Sequence, residues 1–184
     1  WVALSQLGTR VQLAHFNAES WQGDAILQQL YEEVGVQTQF VGTHMIIEKT
    51  AHPTLTQWKL DLADSPDLAQ TVDVTAAGLG IGCQLTGLHT LRVKETDRLA
   101  ALQTELGKLG VQVTCTAASL TFEATATLNS GVTISTYQDH RMAMAFAPLA
   151  SRVAIVIQEA EVVSKSYVGF WDDLRQAGIQ MHIG

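Results

Sequence analysis

The sequence predicts an α/β (α+β) fold in which one strand–helix–strand–helix–strand–strand unit is used three times, the first and last copies being incomplete. Three observations carry that prediction. The segments YEEVGVQTQF, GKLGVQVTC and RQAGIQMHI each pass from a helical pattern through a glycine into an alternating one. Their glycines Gly35, Gly110 and Gly178 stand where a helix end calls for positive φ. Before Gly110, the residues Leu99, Leu102, Leu106 and Leu109 recur at the spacing that buries one helix face.

Taken in order, WVALSQLG reads as a helical stub, and TRVQLAHF as the strand between the two helices of the first unit. The helix ending in YEEVG leads into two short strands, VQTQFV and HMIIEKT. In the second unit the first helix runs from Asp67 through DLAQTVDVTAAGLG and the middle strand is CQLTGLHTL. Its second helix stops at Gly110, and VQVTC and SLTFEA close the unit. The third unit has a helix from Gln138 in QDHRMAMAFAPLA, the strand VAIVIQEAEVV and a helix ending at Gly178. The GLGIG run at Gly78–Gly82 reads as a cap and turn, since no Lys-Ser/Thr follows it and it closes a helix rather than opening one. Approximate units 1–50, 51–127 and 128–184 are expected to share one core as a single domain, 1–184. A chain that opens on Trp1 and closes at Gly184, just inside a new strand, is expected to be a piece of something longer.

Composition narrows the function. With 184 residues, 47% hydrophobic and 16% charged, the chain can bury a sizeable core and is no disordered tail. A net charge of −7 argues against a nucleic-acid or anionic-membrane surface, both of which need clustered positive charge. Mean hydropathy is +0.13, but the longest apolar stretch, Met142 to Ile157, is broken by Pro148, Ser151 and Arg152. No membrane span and no signal peptide are expected. Cys83 and Cys115 lack CxxC spacing and read as reduced core thiols of a cytoplasmic protein.

Only 11 residues are basic, so their placement carries information. Arg92, Lys94 and Arg98 lie in LRVKETDRL, Arg141 in YQDHRMA and Lys165 in VVSKSY, each segment leading into a helix. Lys94 and Arg98, four apart, are expected on one helix face with Glu95 in the first turn; Asp67 follows Pro66 at another helix start. Cations at a helix N-terminus oppose the macrodipole, so a fold gains little stability from them. An anionic ligand reverses the argument, because free N–H groups, dipole and cationic heads then all face one negative charge. A phosphorylated or polycarboxylated substrate is therefore expected where these helix starts meet, with Glu95 placed for proton transfer. A plainer reading stays open, in which Arg98 and Asp97 form surface pairs with Glu95 and Glu105, and Asp67 is simply a helix-start acid. The histidines show no metal-binding spacing, and no metal or cofactor is expected.

LRVKETDRLAALQTELGKLG closely resembles a characteristic segment of the EPSP synthase family, YQDHRMAMAFAPLA a second, and VVSKSYVGFWDDL its C-terminal lysine motif. WQGDAIL and SPDLAQTVDVTAAGL also look like family segments, so the resemblance runs along essentially all of the chain, in the family's order. It implies one domain of the two-domain enolpyruvyl transferase fold, the C-terminal one, without the N-terminal domain that would complete the site. The implied reaction moves the enolpyruvyl group of phosphoenolpyruvate onto the 5-hydroxyl of shikimate 3-phosphate and releases phosphate, with no metal required. By the same resemblance, Asp67 takes the hydroxyl proton, Lys94 contacts shikimate 3-phosphate, and Glu95 shuttles the proton at the enolpyruvyl carbon. Arg98, Arg141 and Lys165 match the cluster that grips phosphoenolpyruvate, Lys165 being counted with the catalytic residues, while Asp139 and His140 flank and orient that cluster. The chain departs from the family pattern at Val168, where many relatives carry proline, and at Thr90, where some carry an asparagine that contacts shikimate.

Two other readings compete with this one. An enolpyruvyl transferase acting on UDP-N-acetylglucosamine would share the fold, but KETDRL and DHRMAMA argue against it. Against a non-enzymatic anion-binding module stands the presence of Asp67, Glu95 and Lys165 together, since a pure binder needs no paired acid and base.

Overall fold

The computed structural model describes residues 10–16, 18 and 23–182. The WVALSQLG stub, the start of WQGDAIL and the last two residues of the chain lie outside them. Strand β1 (Arg10–Ala14) is followed by α1 (Leu27–Glu32), β2 (Val36–Val41) and β3 (His44–Lys49). The middle stretch holds β4 (Gln57–Asp61), α2 (Ala69–Leu79), β5 (Gly82–Thr86), α3 (Arg98–Lys108), β6 (Thr114–Cys115) and β7 (Leu120–Phe122). Next come β8 (Val132–Ile134), α4 (His140–Phe146), β9 (Ile155–Ile157) and α5 (Phe170–Gln176).

Sheet order makes the repetition visible. The middle sheet runs β4-β5-β7-β6, with β4 and β5 parallel across the α2 crossover and β7 antiparallel to both of its neighbours. The first sheet, β1-β3-β2, reproduces the β5-β7-β6 part of that order, and all its pairings are antiparallel. The last sheet, β8-β9, is parallel and reproduces β4-β5. Parallel neighbours need a long crossover, and here a helix supplies it each time. The family of mixed helix-and-sheet folds expected from the sequence is therefore the one observed.

The three helix-ending glycines adopt φ of +84°, +92° and +98° at Gly35, Gly110 and Gly178, as their patterns predict. Gly80, in the GLGIG run, caps α2 in the left-handed conformation at φ 76°. One expected element does not form: Ile179–His182 are not a strand. In the middle sheet β6 is held by pairing with β7, and among the described residues no strand pairs with Ile179–His182. An unpaired strand has nowhere to place its backbone N–H and C=O groups.

One main core joins all three sheets. It takes Tyr31 and Ile47 from the first stretch, Val72, Leu85, Leu102, Leu106 and Phe122 from the middle, and Ile134, Met142 and Phe146 from the last. Burying each leucine or phenylalanine contributes about 1.5–3 kcal/mol. Helix α2 is buried on almost every side, from Ala69 to Gly78 apart from Thr71. It is the central helix of the fold, and its N-terminal end points the Asp67 turn at the site. A smaller cluster of Ala147, Val162, Val163, Phe170 and Leu174 seats α5. Among the described residues no helix is long and apolar enough to cross a membrane.

Candidate functional site

Pro66 opens a short 3-10 turn, Pro66–Leu68, that leads straight into α2 and carries Asp67. Asp97 caps α3, its Oδ1 accepting the Ala100 N–H at 3.1 Å, and Asp139 caps α4 by accepting the Arg141 N–H at 2.9 Å. The Asp97 cap starts the helix at Arg98, so Lys94 and Glu95 precede α3 and share no helix face with Arg98. That corrects the i, i+4 expectation; ion pairing, not helix periodicity, brings these residues together.

Arg98 is the centre of the arrangement. Its Nε donates to Asp139 Oδ2 at 2.7 Å, its Nη1 to Asp67 Oδ1 at 2.8 Å and its Nη2 to Glu95 Oε2 at 2.7 Å. The Arg98 side chain is 1% exposed and that of Asp139 is fully buried, whereas the Glu95 side chain is half exposed. A surface-pair reading of Arg98 is thereby overturned. Removing one partner of such a buried pair costs about 3–5 kcal/mol, because the other charge is left unsolvated. A guanidinium has five N–H donors, and these carboxylates occupy only three of them.

Around Asp67 the remaining cations gather. Lys94 Nζ lies 3.2 Å from Asp67 Oδ1, and Arg141 Nη2 lies 3.6 Å from Oδ2. Arg141 Nη1 also donates to the Asp67 carbonyl at 3.3 Å. Burial pushes the Asp67 carboxyl up, but the Lys94 hydrogen bond and the charges of Arg141, Arg98 and Lys94 outweigh it and hold the group below its ordinary range. Asp67 is therefore a firm carboxylate as long as those cations face it.

Lys165 ends a 3-10 helix, Ala160–Lys165, and its Nζ donates to the Gln138 carbonyl at 3.4 Å. The turn that supplies this carbonyl is unusual, since Tyr137 and Gln138 both have positive φ, 56° and 60°. Non-glycine residues in that region cost on the order of 1–3 kcal/mol each unless their surroundings over-determine them. Buried Glu105 of α3 supplies part of that: Oε1 accepts from the Tyr137 hydroxyl at 2.6 Å and Oε2 from the Ser135 N–H at 3.1 Å. Burial and then the Glu105 hydrogen bond push the Tyr137 hydroxyl up to about 12. Glu159 clamps the other side, accepting from Thr136 Oγ1 at 3.4 Å and Gln138 Nε2 at 3.1 Å.

Asp67, Lys94, Glu95, Arg98, Asp139 and Arg141 thus meet in one ion-pair network, and Lys165 sits beside it, bonded to the carbonyl of Gln138, the residue before Asp139. His140 begins α4, half-buried, and Thr90 Oγ1 is buried without a hydrogen-bond partner; neither belongs to that network. Glu105, Tyr137 and Glu159 were not legible as site-supporting residues. The available signal was Glu105 itself, a charged residue on the helical face lined by Leu102, Leu106 and Leu109. Cys83 is buried, and burial pushes the half-buried Cys115 thiol up to about 11, so neither is poised as a thiolate.

Sheets built as parallel pairs with added antiparallel hairpins, and a cation–carboxylate network at their helix starts, define a mixed α/β domain with a site suited to anions. Residues 2–174 match the family of EPSP synthase (3-phosphoshikimate 1-carboxyvinyltransferase), and the chain belongs to it. Its curated relatives include the 3-phosphoshikimate 1-carboxyvinyltransferase of Bacteroides fragilis (strain ATCC 25285), 40% identical, aligned with 100% of this chain and 46% of its own length. That of Methanospirillum hungatei JF-1 is 36% identical over 96% of this chain and 41% of its own. The structure of EPSP synthase from Acinetobacter baumannii superimposes with a TM-score of 0.79 at 22% identity, covering 100% of this chain and 45% of that one. The chain spans less than half the length of these relatives.

Proposed function

We propose that this chain is most of the C-terminal domain of an enzyme that transfers the enolpyruvyl group of phosphoenolpyruvate to the 5-hydroxyl of shikimate 3-phosphate. The products are 5-enolpyruvylshikimate 3-phosphate and phosphate. The same proposal takes residues 1–184 as one domain with approximate units 1–50, 51–127 and 128–184, working in the cytoplasm with an N-terminal domain. The observation that carries it is the Arg98 fork, which holds Asp67, from the turn before α2, and Glu95, from the loop before α3, on one guanidinium.

The chemistry asks for that pairing. The 5-hydroxyl oxygen bonds to C2 of phosphoenolpyruvate while its proton passes to Asp67, and C3 takes a proton from Glu95. The Glu95 carboxylate left by that transfer then takes a proton back from C3 as phosphate leaves C2, which restores the enol ether. Asp67, held below its ordinary range by cations, is a weak base in the unliganded chain. A substrate phosphate or carboxylate that draws Lys94, Arg141 and Arg98 toward itself removes the groups that keep Asp67 low, so substrate binding itself raises its basicity. Lys94 is assigned to shikimate 3-phosphate, and Arg98, Arg141 and Lys165 to phosphoenolpyruvate. Asp139 orients Arg98 and Arg141, and His140 and Thr90 are assigned supporting contacts.

Phosphate release from the two substrates tests the reading, using this chain together with the N-terminal half its relatives carry. Release is expected only with both halves, and Glu95→Gln should lower it by at least about a hundredfold. An assembled pair that releases no phosphate would overturn the reading.

A further inference from the structure

We propose that the Glu105–Tyr137 pair is a positioning element for the site, holding the left-handed Tyr137–Gln138 turn and, through it, the cations that meet phosphoenolpyruvate. The inference rests on the functional reading above and deepens it. Neither residue touches the Asp67–Arg98 network directly, so any effect on the reaction must pass through the turn.

The turn carries three positioned groups in succession. The Gln138 carbonyl accepts from Lys165 Nζ at 3.4 Å. The Asp139 carboxylate then takes Arg98 Nε at 2.7 Å on one oxygen and the Arg141 N–H at 2.9 Å on the other. Rotation of the Tyr137–Gln138 backbone out of positive φ would swing that carbonyl away from Lys165 and re-aim Asp139. Glu105 opposes this with its two carboxylate oxygens, which accept from the Tyr137 hydroxyl at 2.6 Å and the Ser135 N–H at 3.1 Å.

Glu105 is itself fixed from the other side. Lys108 Nζ pairs with its Oε2 at 2.6 Å and also donates to the Thr133 carbonyl at 3.1 Å. Helix α3 begins with Arg98 and carries Glu105 further along, so one rigid helix sets both the guanidinium and the clamp on the turn that meets it. A charged side chain with no solvent exposure on an otherwise leucine-lined face is costly for the core. Its acceptors serve the turn and Lys108, not a surface contact.

Tyr137→Phe keeps the ring and removes only the hydroxyl donor, so it isolates the clamp without emptying the core. Two readouts in the assembled two-half enzyme decide the matter. Amide exchange of Gln138 to Met142 is expected to speed up about tenfold. The KM for phosphoenolpyruvate is expected to rise about tenfold or more, while the KM for shikimate 3-phosphate, held through Lys94, stays within about twofold. A purely structural role would lower the active fraction and leave both KM values alone. Unchanged exchange, or faster exchange with an unchanged KM for phosphoenolpyruvate, overturns the proposal. If the unsubstituted enzyme releases no phosphate, the functional reading has failed. Binding of phosphoenolpyruvate measured by calorimetry then replaces KM: tenfold weakening by Tyr137→Phe sustains the clamp, and equal binding overturns it.

Discussion

At the scale of single residues, the members of the ion-pair network carry unequal shares of the fold's stability. Arg98 and Asp139 are buried together, so Arg98→Met should destabilise the chain by about 3–5 kcal/mol, read from its urea midpoint. Glu95 is the exposed member, so Glu95→Gln should leave stability within about 0.5 kcal/mol while removing turnover. A large stability loss in Glu95→Gln would mean that this carboxylate supports Arg98 rather than the reaction. A different residue contributes a pH dependence of folding. Asp73 of α2 is fully buried near Cys83, and desolvation raises its carboxyl well above the ordinary 3.8. Above that ordinary value the unfolded chain is ionised while the folded one stays neutral, so folding takes up a proton and stability falls as pH rises toward the folded value. The loss is up to about 1.4 kcal/mol per pH unit, and Asp73→Asn should flatten it, giving equal stability near about pH 4 and greater stability near about pH 8. A slope unchanged in Asp73→Asn would move the cause elsewhere.

At the scale of elements, the glycine-ended helices were legible because their constraint is local, and the structure makes their costs unequal. A Cβ at Gly35 would stand 2.1 Å from the Ala51 carbonyl oxygen, whereas one at Gly178 meets nothing within 4 Å. Gly178→Ala should therefore cost only the left-handed backbone penalty, about 1–2 kcal/mol. Gly35→Ala adds a backbone clash and should exceed about 3 kcal/mol, a ranking that thermal melts of the two variants can check. Similar losses would mean that the segment at Ala51 yields freely. Local pattern also found α2, α3, α4 and the strands VQTQFV and HMIIEKT, since propensity, periodicity and caps agree there. It missed what depends on partners. The strand expected after Gly178 has the right alternation and, among the described residues, no neighbour to pair with. The helix expected to carry Lys94 and Glu95 begins only at Arg98, because the Asp97 carboxylate takes the Ala100 N–H and ends the preceding loop there. The residues that converge on Arg98 and Asp67 could be picked out through charge sign against the macrodipole and through resemblance. Their supports were not, because Glu105 reaches Tyr137 across 32 positions of sequence.

At the scale of the whole molecule, a chain with net charge −7 concentrates Lys94, Arg98 and Arg141 on one network, with Lys165 at the neighbouring Gln138 carbonyl, and exposes apolar side chains nearby. Val93, next to Lys94, is 83% exposed, and Val168, just after Lys165, is 85% exposed. On the proposed reading this face meets the N-terminal domain across the substrates, and the exposed valines belong to that contact. Charge placed there should then weaken assembly without disturbing the fold, since an exposed side chain has little to lose on its own side. Val93→Glu with Val168→Glu should raise the concentration of N-terminal half needed for half-maximal phosphate release at least about tenfold. Neither substitution alters a ligand-facing group, so the rate at saturating N-terminal half should stay within about twofold, and the urea midpoint of this chain should be unchanged. A half-maximal concentration that does not move would put both valines in solvent in the assembled enzyme, and the contact would then rest on the charged groups alone.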